Sequence, residues 1–343
     1  MKAAVLYEAG DIRIEEMDIP KTGSNDILIK VKACGICGSD LPPYKLGIHR
    51  ETGIPVGNGG IILGHEYAGE VVKIGEQVKS VKVGDRIIGV TLGGGMAEYA
   101  RIPAFGDDVF NVYMGQHLKI PAGISYEEAA TIEPLAISLH AVKVADPKSG
   151  NTVLIVGAGV IGLGILQVIK AVYPGKVIVA DTSQKRLEMA KLLGADVLIN
   201  PAKGNLFDQV MQNTGPLQPV WFPNKVCAVD IAFDCVGTVI SAPGQSVISQ
   251  LLMIVREGAK VVLVGAYQDR DELTLSLVLA KELRLLGSIG FSPDDLRGAL
   301  ELVHKHGVNR KAIVSHEFPL DQAKKAFETQ VKTQEAVKVL VKP

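Results

Sequence analysis

The sequence predicts an α/β chain of two domains, one β-rich and one a doubly wound parallel sheet. Three observations carry that prediction. The 343 residues are enough for two domains that each bury a core. From Met1 to about Ala100, short strand-like runs are punctuated by glycine and proline. From Asn151 onward, strands alternate with helical stretches, the texture of a parallel sheet wound with helices.

In order along the chain, "KAAVLY", "IRIEEM", "DILIKVKAC", "YAGEVVKIG", "DRIIGV" and "AEYARI" read as strands. Gly84-Asp85 sits between alternating apolar residues, as a turn feeding a barrel strand would. "GISYEEAATIEPLAISLHAVKVAD" has helical periodicity, with Ser125 as its cap ahead of Glu128. "NTVLIVGAGVIGLGILQVIKAVYPGKVIVAD" then reads strand, glycine turn, helix, turn, strand, a βαβ unit of about 30 residues. Alternation continues to "KELRLLGSIGF", and the tail returns to helices followed by the strand "AVKVLVKP". The expected division is therefore 1–140 with 291–343 for the β-rich domain, and 141–290 for the parallel-sheet domain.

Charge excludes some functions. Lys and Arg number 36 against 37 Asp and Glu, with no like-charge runs, so neither nucleic acid nor an anionic membrane surface is an expected partner. Glu8 and Asp11 interrupt the first apolar run, which argues against a secretory leader. No apolar stretch approaches the roughly 20 residues of a membrane helix. The expected location is the cytoplasm, where Cys34, Cys37, Cys227 and Cys235 would serve metal binding, catalysis or plain burial rather than a disulfide framework.

The clearest motif is Gly157-Ala158-Gly159-Val160-Ile161-Gly162, directly after the strand "TVLIV" and opening a helix. The first glycine permits a tight turn, the second lets backbone approach a pyrophosphate, and the third permits close helix–strand packing. The phosphates would sit at the positive helix terminus. Asp181 ends the following strand, about 20 residues on, where a carboxylate accepts from a ribose 2′-hydroxyl and repels a 2′-phosphate. NAD is the expected cofactor, with Arg186 and Lys185 beside that carboxylate.

A second set is dispersed. Cys34 and Cys37 stand in C-x-x-C spacing within "KACGICGSD", His65 and Glu66 lie in "GHEYAG", and Glu133 lies in "IEPLA". A catalytic zinc takes three N, S or O ligands and keeps a fourth position open.

Taken together and in this order, "GICGSD", "GHEYAGEVVKIG", "VKVGDRIIG", "IEPLAISLHAV" and "GAGVIG" resemble the zinc-dependent medium-chain alcohol dehydrogenases, in the sorbitol, butanediol and threonine dehydrogenase branch, over essentially the whole chain. The resemblance implies a GroES-like catalytic domain beside a Rossmann domain. It implies hydride transfer between NAD and a secondary alcohol, whether polyol, diol or cyclic, to give a ketone. It makes Cys37 and His65 zinc ligands with Glu133 or Glu66 as the third, Ser39 the acceptor of the hydroxyl proton, and Asp40 and Glu66 the carboxylates that orient His65. Cys34 is then a packed bystander. The remaining readings are a threonine-type or sugar-phosphate dehydrogenase, or a zinc-free nucleotide-binding protein.

The chain also departs from that pattern. The region "GVTLGGGMAEYARIPA" lacks the four close cysteines that hold a structural zinc in many relatives, so one zinc per chain is expected. Pro42 stands where relatives often have a relay histidine, which leaves Ser39, or His49, to pass the proton. Ala104–Gln116 and Gly215–Val226 look longer than their counterparts. The apolar strand in "ELRLLGSIGF" is expected at a sheet edge, open to pairing with a second copy in a homodimer or homotetramer.

Overall fold

The computed structural model describes residues 1–47, 56–57, 59–103, 115–237, 240–242, 245–267, 272–332 and 335–343. They fall into two compact units. One comprises Met1–Pro134, Ser292–Lys305 and Arg310–Pro343, and the other comprises Leu135–Phe291 and His306–Asn309. His49 and most of the Ala104–Gln116 segment lie outside the described residues.

The first unit is β-rich. One sheet runs Val314–Pro319, Lys338–Lys342, Asp26–Gly35, Glu66–Ile74, Arg86–Val90 and Gln116–Lys119, with Tyr99–Pro103 paired to Asp26–Gly35. A smaller sheet carries the Lys2–Glu8 and Asp11–Glu16 hairpin. Gly84 adopts φ +88° at the turn before Arg86, a backbone that favours glycine. Alternate strand residues, Ile27, Ile29 and Val31 among them, bury against Tyr67, Phe327 and Val339. The central strand thereby carries Cys34 into the core and leaves Cys37 just past its end.

One helix differs from the periodicity. Ser125 does cap it, since Glu128 N–H donates to Ser125 Oγ and Ser125 N–H to Glu128 Oε2. The helix nonetheless ends at Ala129 and restarts as Ile132–Ala145. Pro134 has no N–H, and in the first turn of the second helix none is needed. The break brings Glu133 to that same first turn.

The second unit is a six-stranded parallel sheet in the order Val197–Ile199, Lys176–Ala180, Thr152–Val156, Ile231–Asp234, Lys260–Leu263, Arg284–Gly287. This is the dinucleotide-fold order, and its direction of winding reverses between Thr152–Val156 and Ile231–Asp234, where such sheets open a ligand crevice. Helices Val160–Val172 and Val247–Ile254 cover it with apolar faces. Arg284–Gly287 is an edge strand. The Gly215–Val226 segment contains the short strand Pro216–Leu217, which pairs with Val226–Cys227 across residues 218–225, with Trp221 exposed. Beneath this hairpin Lys281 is fully buried, donating to the carbonyls of Met253 and Val255 at the end of the Val247–Ile254 helix. No helix among the described residues is long and apolar enough to cross a membrane.

Candidate active site

In the first unit, the central strand ends at Gly35, and the chain turns through Ile36 and Cys37 into a short 3-10 helix, Gly38–Asp40. Asp40 is buried and closes that turn by accepting Cys37 N–H through Oδ2 at 2.9 Å. Its other oxygen faces His65 Nδ1 at 3.6 Å. Ser39 lies exposed on the same turn. His65 precedes the neighbouring strand Glu66–Ile74, which pairs with the central one so that Glu66 stands opposite Gly35.

The pairing of these two strands brings Cys37, His65 and Glu66 together, with their ligand atoms within 4.8 Å of one another, the one such grouping among the described residues. Glu133, the other glutamate expected near a metal, stands outside that grouping. It is buried, and its carboxyl is raised by burial first and by the charge of Glu66 next. Glu66 Oε1 and Glu133 Oε2 are both buried and without a hydrogen-bond partner among the described residues. An orphaned carboxylate oxygen in a protein interior costs free energy. Two of them next to a thiol and an imidazole form a donor set suited to a divalent cation such as zinc. Burial lowers the basicity of His65, but the neighbouring Cys37 and Asp40 outweigh it and hold the ring's pKa well above its ordinary value.

Sequence reasoning missed three participants here. Lys338 is fully buried and bonds Glu66 Oε2 at 2.5 Å and Ile36 O at 3.0 Å. Burial works against its charge, and Glu66 more than offsets that, so its pKa is raised. The only signal in the sequence was a lysine heading the apolar run Val339–Val341. Arg310 is buried too, donating to Thr131 through its side-chain and backbone oxygens. Gly35 is the third participant, because a Cβ there would lie 2.3 Å from Glu66 Oε2 and 3.3 Å from Lys338 Cδ. The glycine inside C-x-x-C thus makes room for an ion pair. Cys34 is fully buried, and burial raises its thiol pKa well above the usual value, leaving it a packed and unreactive group.

In the second unit the glycine turn has the geometry its spacing predicts. Gly157 has φ +98°, and a Cβ on Gly162 would fall 1.8 Å from Gly157 O. A Cβ on Gly159 would meet nothing within 4 Å, so that position borders open space at the start of the helix, with Val160 and Ile161 in its first turn. The space is a pocket of about 530 Å³ lined by Gly157, Gly159, Asp181, Arg186, Cys235 and Val236. Asp181 is buried at its rim, taking Ala158 N–H on one oxygen and Ser183 N–H on the other, each at 2.7 Å. Arg186 Nη1 lies 4.0 Å from Asp181 Oδ2. Cys235 lies one residue past its strand and faces this pocket, whereas Cys227 is buried.

Residues 23–113 match the alcohol dehydrogenase GroES-like domain and residues 160–305 the zinc-binding dehydrogenase domain. Sorbitol dehydrogenase of Bacillus subtilis is 32% identical over 363 aligned positions, covering 100% of this chain and 97% of the relative. The chain belongs to the zinc-dependent medium-chain alcohol dehydrogenases. The crystal structure of 2R,3R-butanediol dehydrogenase from Bacillus subtilis superposes with a TM-score of 0.83 at 29% identity, covering 100% of this chain and 99% of that one. A zinc-binding dehydrogenase from Sinorhizobium meliloti, bound to NADP, does so with a TM-score of 0.81 at 27% identity, covering 100% and 99%. Both expected domain types, GroES-like and Rossmann, are therefore present, and the chain is a dehydrogenase that uses a nicotinamide cofactor.

Proposed function

We propose that this dehydrogenase interconverts a secondary alcohol of the polyol or diol class and its ketone, using NAD and one zinc held by Cys37, His65 and a glutamate. The observation that carries the reading is the grouping of those side chains beside two buried, unpartnered carboxylate oxygens. The sorbitol and butanediol dehydrogenases it resembles supply the substrate class. Glu66 is the favoured third ligand because its donor atom falls within the grouping and that of Glu133 does not. Bound zinc supplies a Lewis acid that lowers the proton affinity of a hydroxyl, as bound water drops from 15.7 to about 7 in favourable sites, and the nicotinamide accepts the hydride.

The rest falls to the chain's own residues. Ser39, exposed beside Cys37, accepts the hydroxyl proton and passes it to water. Asp40 holds the Cys37 turn and faces the imidazole, keeping both donors in register. Lys338 engages one oxygen of Glu66 and leaves the other turned to the site. Asp181 accepts from the ribose 2′-hydroxyl and opposes a 2′-phosphate, which favours NAD over NADP. The protein works in the cytoplasm as a homodimer or homotetramer, pairing through the open edge strand Arg284–Gly287.

The test combines metal analysis of purified protein with a panel of polyols, diols, amino alcohols, cyclic alcohols and sugar phosphates, followed at the NADH absorbance with NAD and NADP in turn. One zinc per chain and turnover of a polyol or diol with NAD is the expected result. Metal-free protein without turnover would replace this reading with a nucleotide-binding one. Preference for threonine or a sugar phosphate would move the substrate class.

A further inference from the structure

Across the crevice from Gly157, Cys235 and Val236 line the pocket, and a single buried carboxylate accepts two amides of their turn. Asp234 ends the strand beside Thr152–Val156 and is fully buried. Its Oδ1 accepts Val236 N–H at 2.9 Å and Gly237 N–H at 3.1 Å, and its Oδ2 accepts the Tyr267 hydroxyl at 2.5 Å. The backbone oxygen of Asp234 accepts two further amides, from Val264 and Gly265, at 3.0 and 2.9 Å.

One residue therefore joins two turns that follow adjacent strands. The two turns also interlock without side chains between them. A Cβ on Gly237, which has φ +86°, would fall 2.2 Å from Ala266 O, and one on Gly265 would fall 2.2 Å from Gly237 N. On its other side the 235–237 turn presses against the glycine motif. A Cβ on Gly157 would lie 2.9 Å from Val236 Cγ2 and 3.2 Å from the Cys235 backbone. Asp234 thus bonds the turn that lines the crevice at the point where the sheet reverses its winding.

We infer that Asp234 and Tyr267 form a positioning pair that holds the Cys235–Gly237 wall of the cofactor pocket against Gly157. The pair touches no reacting atom. Tyr267 acts through the carboxylate, and the carboxylate through the two amides of the turn. The inference rests on the nicotinamide-cofactor reading of this pocket.

The test is Tyr267→Phe, Asp234→Asn and the double variant in the full-length enzyme. NADH dissociation constants are measured by fluorescence titration, alongside zinc content, thermal unfolding and KM for the alcohol. Losing a hydrogen bond to a charged group should weaken NADH binding by about tenfold in Tyr267→Phe and by more in Asp234→Asn. Zinc content and KM for the alcohol should stay within twofold of the parent. The double variant should bind no more weakly than Asp234→Asn alone, because the phenol is proposed to reach the pocket through the carboxylate. Additive losses, or an NADH affinity unchanged in Tyr267→Phe, would overturn the inference. So would losses of zinc and cofactor in equal measure, since they would mean general damage. If Asp234→Asn does not fold, Tyr267→Phe decides alone, since it removes one hydroxyl from a half-buried ring. A parent protein that binds neither NADH nor NADPH would overturn the cofactor reading as well, an outcome separate from a parent that binds and a variant that matches it.

Discussion

Replacing Lys338 by methionine keeps most of the side chain's length and removes its charge, and the consequence can be worked from the partners it leaves. Glu66 already has one oxygen without a partner, and Lys338 holds the other at 2.5 Å. Both groups are fully buried. Removing one member of such a pair strands the other's charge, which costs about 3–5 kcal/mol. At 1.4 kcal/mol per factor of ten, that is roughly two to three and a half powers of ten in the folding equilibrium. Urea unfolding of the metal-free protein in EDTA should show the full loss. Added zinc should recover part of it by neutralising Glu66 from the other side. Coupling the change to Glu66→Gln should restore most of the stability in EDTA, because the stranded charge is gone, without restoring zinc binding. A loss below about 1 kcal/mol in EDTA, the range of an exposed ion pair, would refute the reasoning, as would a double variant no more stable than Lys338→Met.

Three further outcomes are expected. Cys37→Ser should lose zinc and activity, whereas Cys34→Ala should retain the metal in the same elemental analysis, because its thiol is buried in the core of the sheet. Asp181→Ala should narrow the ratio of catalytic efficiencies for NAD over NADP by about tenfold, the worth of one hydrogen bond to a charged group, with Arg186 left to meet the phosphate; an unchanged ratio in steady-state kinetics would count against it. Burial brings Lys281 down from 10.5 to about 8, so between those values the unfolded chain binds more protons and stability rises with pH. The gain is at most about 3 kcal/mol, since 1.36 kcal/mol accompanies each pH unit and the two helix-terminal carbonyls favour the ammonium. Urea unfolding by circular dichroism at pH 7.5 and 10.5 should show that gain in the parent and lose it in Lys281→Met.

What could be read from the sequence follows from the range of the physics involved. The glycine turn was legible because its constraints are local: Gly157 needs positive φ, and Gly162 must lie against a carbonyl five residues away. The parallel sheet was legible as apolar strand-like runs alternating with helical stretches. Cys37, His65 and Glu66 could be named as separate pieces, but only strand pairing decides that Glu66 approaches the thiol and imidazole more closely than Glu133 does. Lys338 was invisible because its partner is 272 residues away, and a lysine in "AVKVLV" reads as the solvent side of an alternating strand. Asp234 failed to register for the same reason, since the Tyr267 hydroxyl lies on a turn that no periodicity links to it. The continuous helix predicted from Ser125 missed its break because Pro134 is tolerated in a first turn, and apolar period alone does not show where a helix restarts.

The position of Lys338 also constrains the order of events when the chain is made. The strand that carries it pairs with Asp26–Gly35, at the opposite end of the sequence, and the whole of the parallel-sheet unit is synthesised in between. Until that late strand arrives, the central strand lacks its partner at Cys34 and Gly35, and Glu66 faces an interior that lacks its counter-charge. The parallel-sheet unit draws its strands from one nearly continuous stretch and can close as it emerges. The unit holding the metal-ligating side chains cannot, so on the ribosome the cofactor-binding half is complete before the half that begins the sequence.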